Sequence, residues 1–206
     1  MNDARCKKCR RVSQKLFLKG DRCYTQKCAM VRRAYAPGVR GKAFRRRLSD
    51  YGLQLAEKQK VRLSYGVSER QFKKYFEEVA GKKGNKETLF IQKLEKRLDN
   101  VVFRLGWVKS RRLARQVVGH GHILVNGKKV DIPSYQVKKD DLVKIKEKSK
   151  KSVLFANLKT LLKKAKISSW LSLDREKLEG KVEGNPEAED LGNIGEMSMI
   201  IEYYSR

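Results

Sequence analysis

Apolar positions in this chain change their period several times, and each change marks an element. Leu48, Tyr51 and Leu55 fall on one helical stripe beside the start signal Ser49-Asp50, which predicts a helix over residues 48–62 with Lys58, Lys60 and Arg62 pointing outward. The next pattern is sharper. Ser68 with Gln71 three residues on reads as a capping box, and Phe72, Tyr75, Phe76 and Val79 follow at i, i+3, i+4 and i+7, the spacing of a buried helical face. Gly81-Lys82-Lys83-Gly84-Asn85 breaks the chain. Thr88 is then expected to open one long helix whose apolar face holds Ile91, Leu94, Leu98, Val101, Val102 and Leu105, ending at Gly106.

Beyond Gly106 the elements shorten. Ser110 caps a helix with Leu113, Ala114, Val117 and Val118 on one face and Arg111, Arg112, Arg115 and Gln116 on the other. His122 to Val125 then reads as a strand entering Asn126-Gly127, the strongest short hairpin signal, with Lys128-Lys129-Val130 returning and a further strand over Leu142–Lys146. Ser152 is expected to cap another helix carrying Leu154, Leu158, Leu161, Leu162 and Ala165, and Trp170 reads as core. Met197, Ile200, Ile201 and Tyr204 form a last helical stripe, predicted to dock on the first helical domain. The fold class is α+β. A basic arm occupies 1–47, an α-helical domain occupies 48–95 and is completed by 175–206, and a module of helices on a small, mostly antiparallel sheet is inserted over 96–174.

Charge narrows the partner. The 206 residues hold 50 Lys plus Arg against 23 Asp plus Glu, a formal net charge of +27. So strong a field repels itself, and a polyanion neutralises it; nucleic acid is the first candidate. The charge is uneven, with +14 over residues 1–47 and −5 over residues 171–206. The acidic run Glu179–Asp190 is therefore expected to avoid nucleic acid. No stretch approaches 18 uncharged apolar residues, which argues against a membrane-spanning helix. Met1-Asn2-Asp3-Ala4-Arg5 has neither an apolar segment nor a cleavage site, so a cytoplasmic location is expected, and an organellar gene product would look the same.

All four cysteines lie in the arm, as Cys6, Cys9, Cys23 and Cys28 in the spacing C-x2-C-x13-C-x4-C. In a reducing compartment this pattern matches a structural tetrathiolate zinc site better than a disulfide framework; four unrelated buried thiols is the competing reading. With four sulfur ligands the ion would have no open position for water, so Zn2+, one per chain, is expected as a staple and not as a catalyst. Lys7, Lys8, Arg10, Arg11, Arg22 and Lys27 surround the thiols and would offset the charge of the site.

After the cysteines comes a strap with a Pro37-Gly38 turn. Its Arg32, Arg33, Arg40, Lys42, Arg45, Arg46 and Arg47, with Arg10, Arg11 and Lys15 before them, are candidate phosphate clamps, since guanidinium pairs bidentately with phosphate. Tyr24, Tyr35 and Phe44 either stack on bases or anchor the strap to its own domain. In the module the candidates are Lys109, Ser110, Arg111, Arg112, Arg115 and Gln116 at a helix N-terminus, where free amides add to the pull on anions. His120, His122, Asn126 and Lys128 follow. The two histidines, at i and i+2 with no third ligand, read as polar surface or a turn constraint before they read as metal ligands.

These residues carry a resemblance. Lys109-Ser110-Arg111, Ala114-Arg115-Gln116, Gly119-His120, Val125-Asn126-Gly127, Pro133-Ser134-Tyr135 and Asp140-Asp141 resemble the small RNA-binding module named for small-subunit ribosomal protein four. Tyr51-Gly52-Leu53-Gln54-Leu55, Tyr65-Gly66, Gln71-Phe72, the four cysteines and Glu202-Tyr203-Tyr204-Ser205-Arg206 extend it to the bacterial-type family nearly end to end. The resemblance implies a primary binder of small-subunit, 16S-type ribosomal RNA that grips a multi-helix junction of the 5′ domain and nucleates assembly. It also implies neighbours, small-subunit proteins five and three near the messenger entrance, an influence on decoding accuracy, and in some bacteria repression of the protein's own mRNA. Two departures stand out: only Met1 to Arg5 precede the first cysteine, and Glu179–Asp190 is unusually acidic.

The leading reading is thus a structural RNA-binding protein with no reaction and no small-molecule substrate of its own. An RNA-modifying enzyme or RNA chaperone using the same module is the second class; after the module, no His, Cys or Gly-rich phosphate loop remains to support catalysis. A zinc-containing DNA-binding regulator is the third, disfavoured because no heptad repeat supplies a dimer helix.

Overall fold

The computed structural model describes residues 4–39, 41–42, 47–156, 158, 162, 167–187, 190, 192 and 194–205. The chain forms two compact units, Met1–Phe90 with Gly192–Arg206, and Ile91–Leu191.

The first unit is helical. Helix α1 (Arg5–Arg11), a 3-10 turn (Gly20–Tyr24) and α2 (Ala29–Arg32) build the arm. Helix α3 (Asp50–Tyr65) starts where Ser49 Oγ accepts the Gly52 N–H at 3.3 Å and ends at Gly66, whose φ of +66° is the left-handed geometry a helix stop requires. Helix α4 (Glu69–Ala80) is capped by Ser68, which accepts from Gln71 N. Its expected stripe is buried, and Phe72 meets Phe90 edge to face at 5.0 Å between ring centres. The C-terminal stripe forms a helix, α9 (Met197–Ser205), that packs against α3 with Met197 and Ile200 buried.

The long helix expected from Thr88 is two helices. Asn85 Oδ1 accepts from Glu87 N and Thr88 N, so α5 (Lys86–Glu95) begins earlier. It stops because the backbone at 96–99 pairs elsewhere. Leu98 N–H bonds Tyr135 O at 2.8 Å, Asp99 N–H bonds Pro133 O, Lys96 O accepts from Val137 N, and Arg97 bridges Gln136 in extended geometry before α6 (Leu98–Arg104) resumes.

In the second unit α6 and α7 (Arg111–Gly119) pack on a five-stranded antiparallel sheet of order β2-β1-β3-β5-β4. The strands are β1 (Ile123–Val125), β2 (Lys128–Lys129), β3 (Leu142–Ile145), β4 (Leu171–Asp174) and β5 (Glu179–Val182), with the short α8 (Glu147–Lys150) after β3. Asn126 and Gly127 both have positive φ, 49° and 79°, the geometry of the tight hairpin turn they predict. Leu98, Val102, Leu105, Trp107, Val117 and Ile123 are fully buried in one core, and Trp170 lies in the same core.

Two boundaries differ from the sequence reading. The return to the helical unit begins at Gly192 and not at residue 175, because part of the acidic run is strand: β5 registers Lys181 against Leu142 and pairs β3 with β4. The stretch after Ser152 opens with a 3-10 turn (Val153–Phe155) rather than directly as a helix; Leu158 and Leu162 beyond it are helical and buried, and Leu161 and Ala165 lie outside the described residues. Among the described residues, no helix is long and apolar enough to cross a membrane.

Candidate nucleic-acid interface

The site in the second unit is organised by α7. Ser110 is 9% exposed and its Oγ accepts the Leu113 N–H at 3.3 Å, so this candidate contact is spent on capping the helix. Ala114, Val117 and Val118 are fully buried, which fixes the rotation of the helix. Lys109, Arg112, Arg115, Gln116 and His120 are then exposed around the helix and its free N-terminal amides.

Arg111 takes a different role. Its Nε donates to Asn100 Oδ1 at 2.8 Å, its Nη2 lies 3.9 Å from Glu95 Oε1, and its guanidinium covers the Phe103 ring at 4.7 Å. Glu95 is fully buried and accepts from Arg104 Nε and Nη2 at 2.8 and 2.7 Å and from Asn100 Nδ2 at 2.7 Å. Further along, buried Asp99 accepts from Arg97 Nε and Nη2 at 3.0 and 2.6 Å and lies 3.8 Å from half-exposed Arg115. Burial pushes the Asp99 carboxyl upward against the pull of Arg97 and Arg115. Two buried carboxylates therefore hold two of the α7 arginines. The helical stripes alone do not give this network, although the sequence carries a signal of it: Glu95 and Asp99 share the spacing of Ile91, Leu98 and Val102, putting acids on an apolar stripe.

Further along, Lys128 is exposed in the hairpin, whereas the Asn126 amide is committed at both ends. Its Nδ2 donates to Asp141 Oδ1 at 2.8 Å and its Oδ1 accepts from Leu142 N at 2.9 Å. His122 is half-buried, with Nδ1 2.9 Å from Ser149 Oγ and its ring edge-on to Phe155. It braces the start of β1.

In the first unit Arg11, Lys15, Arg32, Arg33, Lys42 and Arg47 are exposed. Arg10 ties the strap down instead, donating to Tyr35 O at 2.8 Å and Ala36 O at 3.1 Å with its guanidinium 4.9 Å from the Tyr35 ring centre. Arg40, Phe44, Arg45 and Arg46 lie outside the described residues. A groove of about 940 Å³ between α1 and α3 has an apolar floor including Leu48, Leu55 and Leu63, and Lys7, Lys8 and Arg11 at its rim.

The outward placement expected for the α3 cations is corrected. Lys58 is 4% exposed, bonded to Glu69 Oε1 at 2.6 Å and lying over the rings of Tyr203 and Tyr204, because α9 covers that face of α3. Lys60 pairs with Glu57, and Arg62 with Gln59 and Glu69.

The cysteines gather without forming a disulfide, with Cys9, Cys23 and Cys28 buried and Cys6 half-buried. Burial raises the Cys9 thiol, opposed by a backbone hydrogen bond at Leu16, and Cys23, Cys6 and Cys28 all act on it electrostatically. The donor chemistry suits a thiophilic cation. Among the described residues, no group of three or more His, Cys, Asp or Glu side chains is placed to hold a metal ion.

Two family models match the chain. Residues 1–95 match the family model described as ribosomal protein S4/S9 N-terminal domain, and residues 96–143 match the S4 domain. The small ribosomal subunit protein uS4 of Thermus thermophilus is 51% identical over 201 residues, covering 98% of this chain and 96% of its own. Protein uS4A of Clostridium botulinum is 52% identical over 204 residues, with 98% and 97% covered, and uS4 of Acetivibrio thermocellus is 50% identical over 203 residues, with the same coverage. A similarity this high, running through both units, means that the chain belongs to the uS4 family of small ribosomal subunit proteins.

Proposed function

We propose that this protein is a structural constituent of the small ribosomal subunit that binds the subunit's RNA and carries out no reaction of its own. The observation that carries this reading is the division of labour on α7: buried Glu95 and Asn100 fix Arg111, while Lys109 and Arg112 are exposed beside the helix N-terminus and Gln116 is exposed further along it. Phosphate contacts of this kind supply affinity by releasing counterions, and the shape of the RNA selects the site. The cationic arm adds a second surface.

The finer reading is that the RNA target is a multi-helix junction of the 5′ domain, and that binding there nucleates assembly. Proteins five and three are its neighbours near the messenger entrance, where the protein contributes to accuracy. Full-length protein titrated with small-subunit RNA tests the core of it. With on the order of ten phosphates engaged, log affinity falls with a log-salt slope of roughly −7 to −9. A slope near zero, or equal affinity for duplex DNA, overturns it.

We also propose that Cys6, Cys9, Cys23 and Cys28 take up one Zn2+ as a structural staple, supported by their spacing and by three of these thiols lying close enough to act electrostatically on the fourth, Cys9. Metal analysis of protein purified without chelator tests this. Absence of any thiophilic metal from protein whose four thiols are reduced removes the zinc and leaves the RNA reading intact.

A further inference from the structure

Two aromatic rings in the arm are held in the open. Phe17 and Tyr24 stack with ring centres 5.0 Å apart and planes 29° from parallel, yet Phe17 is 41% and Tyr24 74% exposed. A ring this exposed buries too little apolar surface to be explained by core packing. The scaffold beneath is firm by contrast. Each ring follows a buried anchor, Leu16 before Phe17 and Cys23 before Tyr24, and Lys19 N–H bonds Cys23 Sγ at 3.4 Å.

The backbone that presents them is unusual. Phe17 adopts φ +51°, a left-handed conformation that costs a bulky residue on the order of 1 kcal/mol and persists where the surroundings impose it. After Tyr24, Thr25 Oγ1 bonds Arg22 O and accepts from Lys27 N, closing the loop. Lys15, Arg22 and Lys27 are exposed on this segment, and Asp21 is the one acidic residue between positions 4 and 49.

A flat π-face in a cationic frame has a definite complement. Every nucleobase offers a π-face, but in a double helix those faces are hidden, so the complement is an unpaired base whose flanking phosphates meet the cations. Resting on the RNA-binding reading above, we infer that the Phe17–Tyr24 pair is a stacking platform for an unpaired nucleobase of the bound RNA, with Tyr24 presenting the outer face. This makes the arm a reader of single-stranded structure as well as a charge carrier.

The test uses the full chain with small-subunit ribosomal RNA. Ultraviolet crosslinking followed by mass spectrometry should place a nucleotide adduct on Tyr24 or Phe17. Tyr24→Ala should weaken binding about 5- to 150-fold, the range for loss of one base–aromatic stack. Its log-salt slope should stay unchanged because no phosphate contact is lost. Tyr24→Trp should restore affinity, and Phe17→Ala should lower it in turn. Circular dichroism and thiol counting check that the variants keep the arm folded. If Tyr24→Ala binds the RNA as tightly as the parent, and adducts appear on other residues but on neither ring, the platform is wrong while the RNA-binding reading stands. If the parent protein itself ignores the RNA, the reading on which the platform rests fails first.

Discussion

The ammonium of Lys58 sits 4.3 Å from the centre of the Tyr203 ring, joining α3 to the C-terminal helix α9. The same group bonds Glu69 Oε1 at 2.6 Å, and Tyr204 OH donates to that carboxylate at 2.9 Å. Gln54 Nε2 to Glu202 Oε2 at 2.9 Å closes the other side of this clasp. A lysine that reads as an RNA contact is therefore a structural fastener for the chain's end.

Replacing Lys58 by Ala should destabilise the first unit by about 1–3 kcal/mol, the sum of a partly desolvated cation–π contact and an ion pair with a half-exposed carboxylate. Urea unfolding measures the loss. The salt slope of RNA binding should not move, because no phosphate contact is removed; a slope reduced by about one would return Lys58 to the interface.

The clasp also predicts acid sensitivity. Burial alone would raise the Glu69 carboxyl, but hydrogen bonds from Lys58 and Tyr204 and the charges of Lys58 and Arg62 outweigh it and hold it below its ordinary 4.5. A depressed acid contributes stability that is present above its unfolded value and is lost as pH falls through the folded one. Urea midpoints should be flat above pH 4.5 with respect to this group and decline below it, and Glu69→Gln should show a shallower decline. Equal acid profiles for the two proteins would count against the clasp.

In the second unit Glu95→Ala should cost about 3–5 kcal/mol, because it leaves the Arg104 and Arg111 charges without their buried partner. Thermal or urea unfolding of the full chain reads this directly. A loss within the error of the measurement would mean that water replaces the carboxylate and that the site is less closed than its full burial indicates.

Arg111 and Arg112 are neighbours in sequence and should separate in function. Arg112→Ala should leave stability nearly unchanged and reduce the log-salt slope of RNA binding by about 0.7–0.9, one phosphate's share. Arg111→Ala should chiefly lower stability, since it removes the partner of Asn100 Oδ1. The reverse pattern would invert the assignment of the α7 faces.

Gly180 in β5 is a packing constraint. A Cβ there would come within 2.5 and 2.7 Å of the Leu105 Cδ atoms, and Leu105 is fully buried. Gly180→Ala should destabilise by about 1–3 kcal/mol through overpacking, and Leu105→Val in the same chain should recover part of it if this contact is the cause.

Much of the local structure was legible. The caps at Ser49, Ser68 and Ser110, the Asn126-Gly127 turn and the buried stripe of α4 follow from side chains acting on their own neighbourhood in the chain. The split of the long helix was not, since the break at 96–97 is made by hydrogen bonds to residues 133–137. Likewise, nothing local tells that Glu179–Val182, short, glycine-containing and at the head of an acidic run, fills the gap between β3 and β4.

Composition and neighbour spacing need no fold to act, so the cationic surplus, the short-range periodicities and caps, and the grouping of thiols and aromatics in the first 47 residues are all present in the unfolded chain. Long-range packing settled which cations are left exposed and which are taken up by the protein itself. Lys58 went inside when α9 packed over it, and Arg111 was taken by Glu95 and Asn100 while Arg112 was left exposed. A long charged side chain takes its role from whatever dense, low-dielectric surface lies within reach, and that surface is assembled from residues distant in the chain.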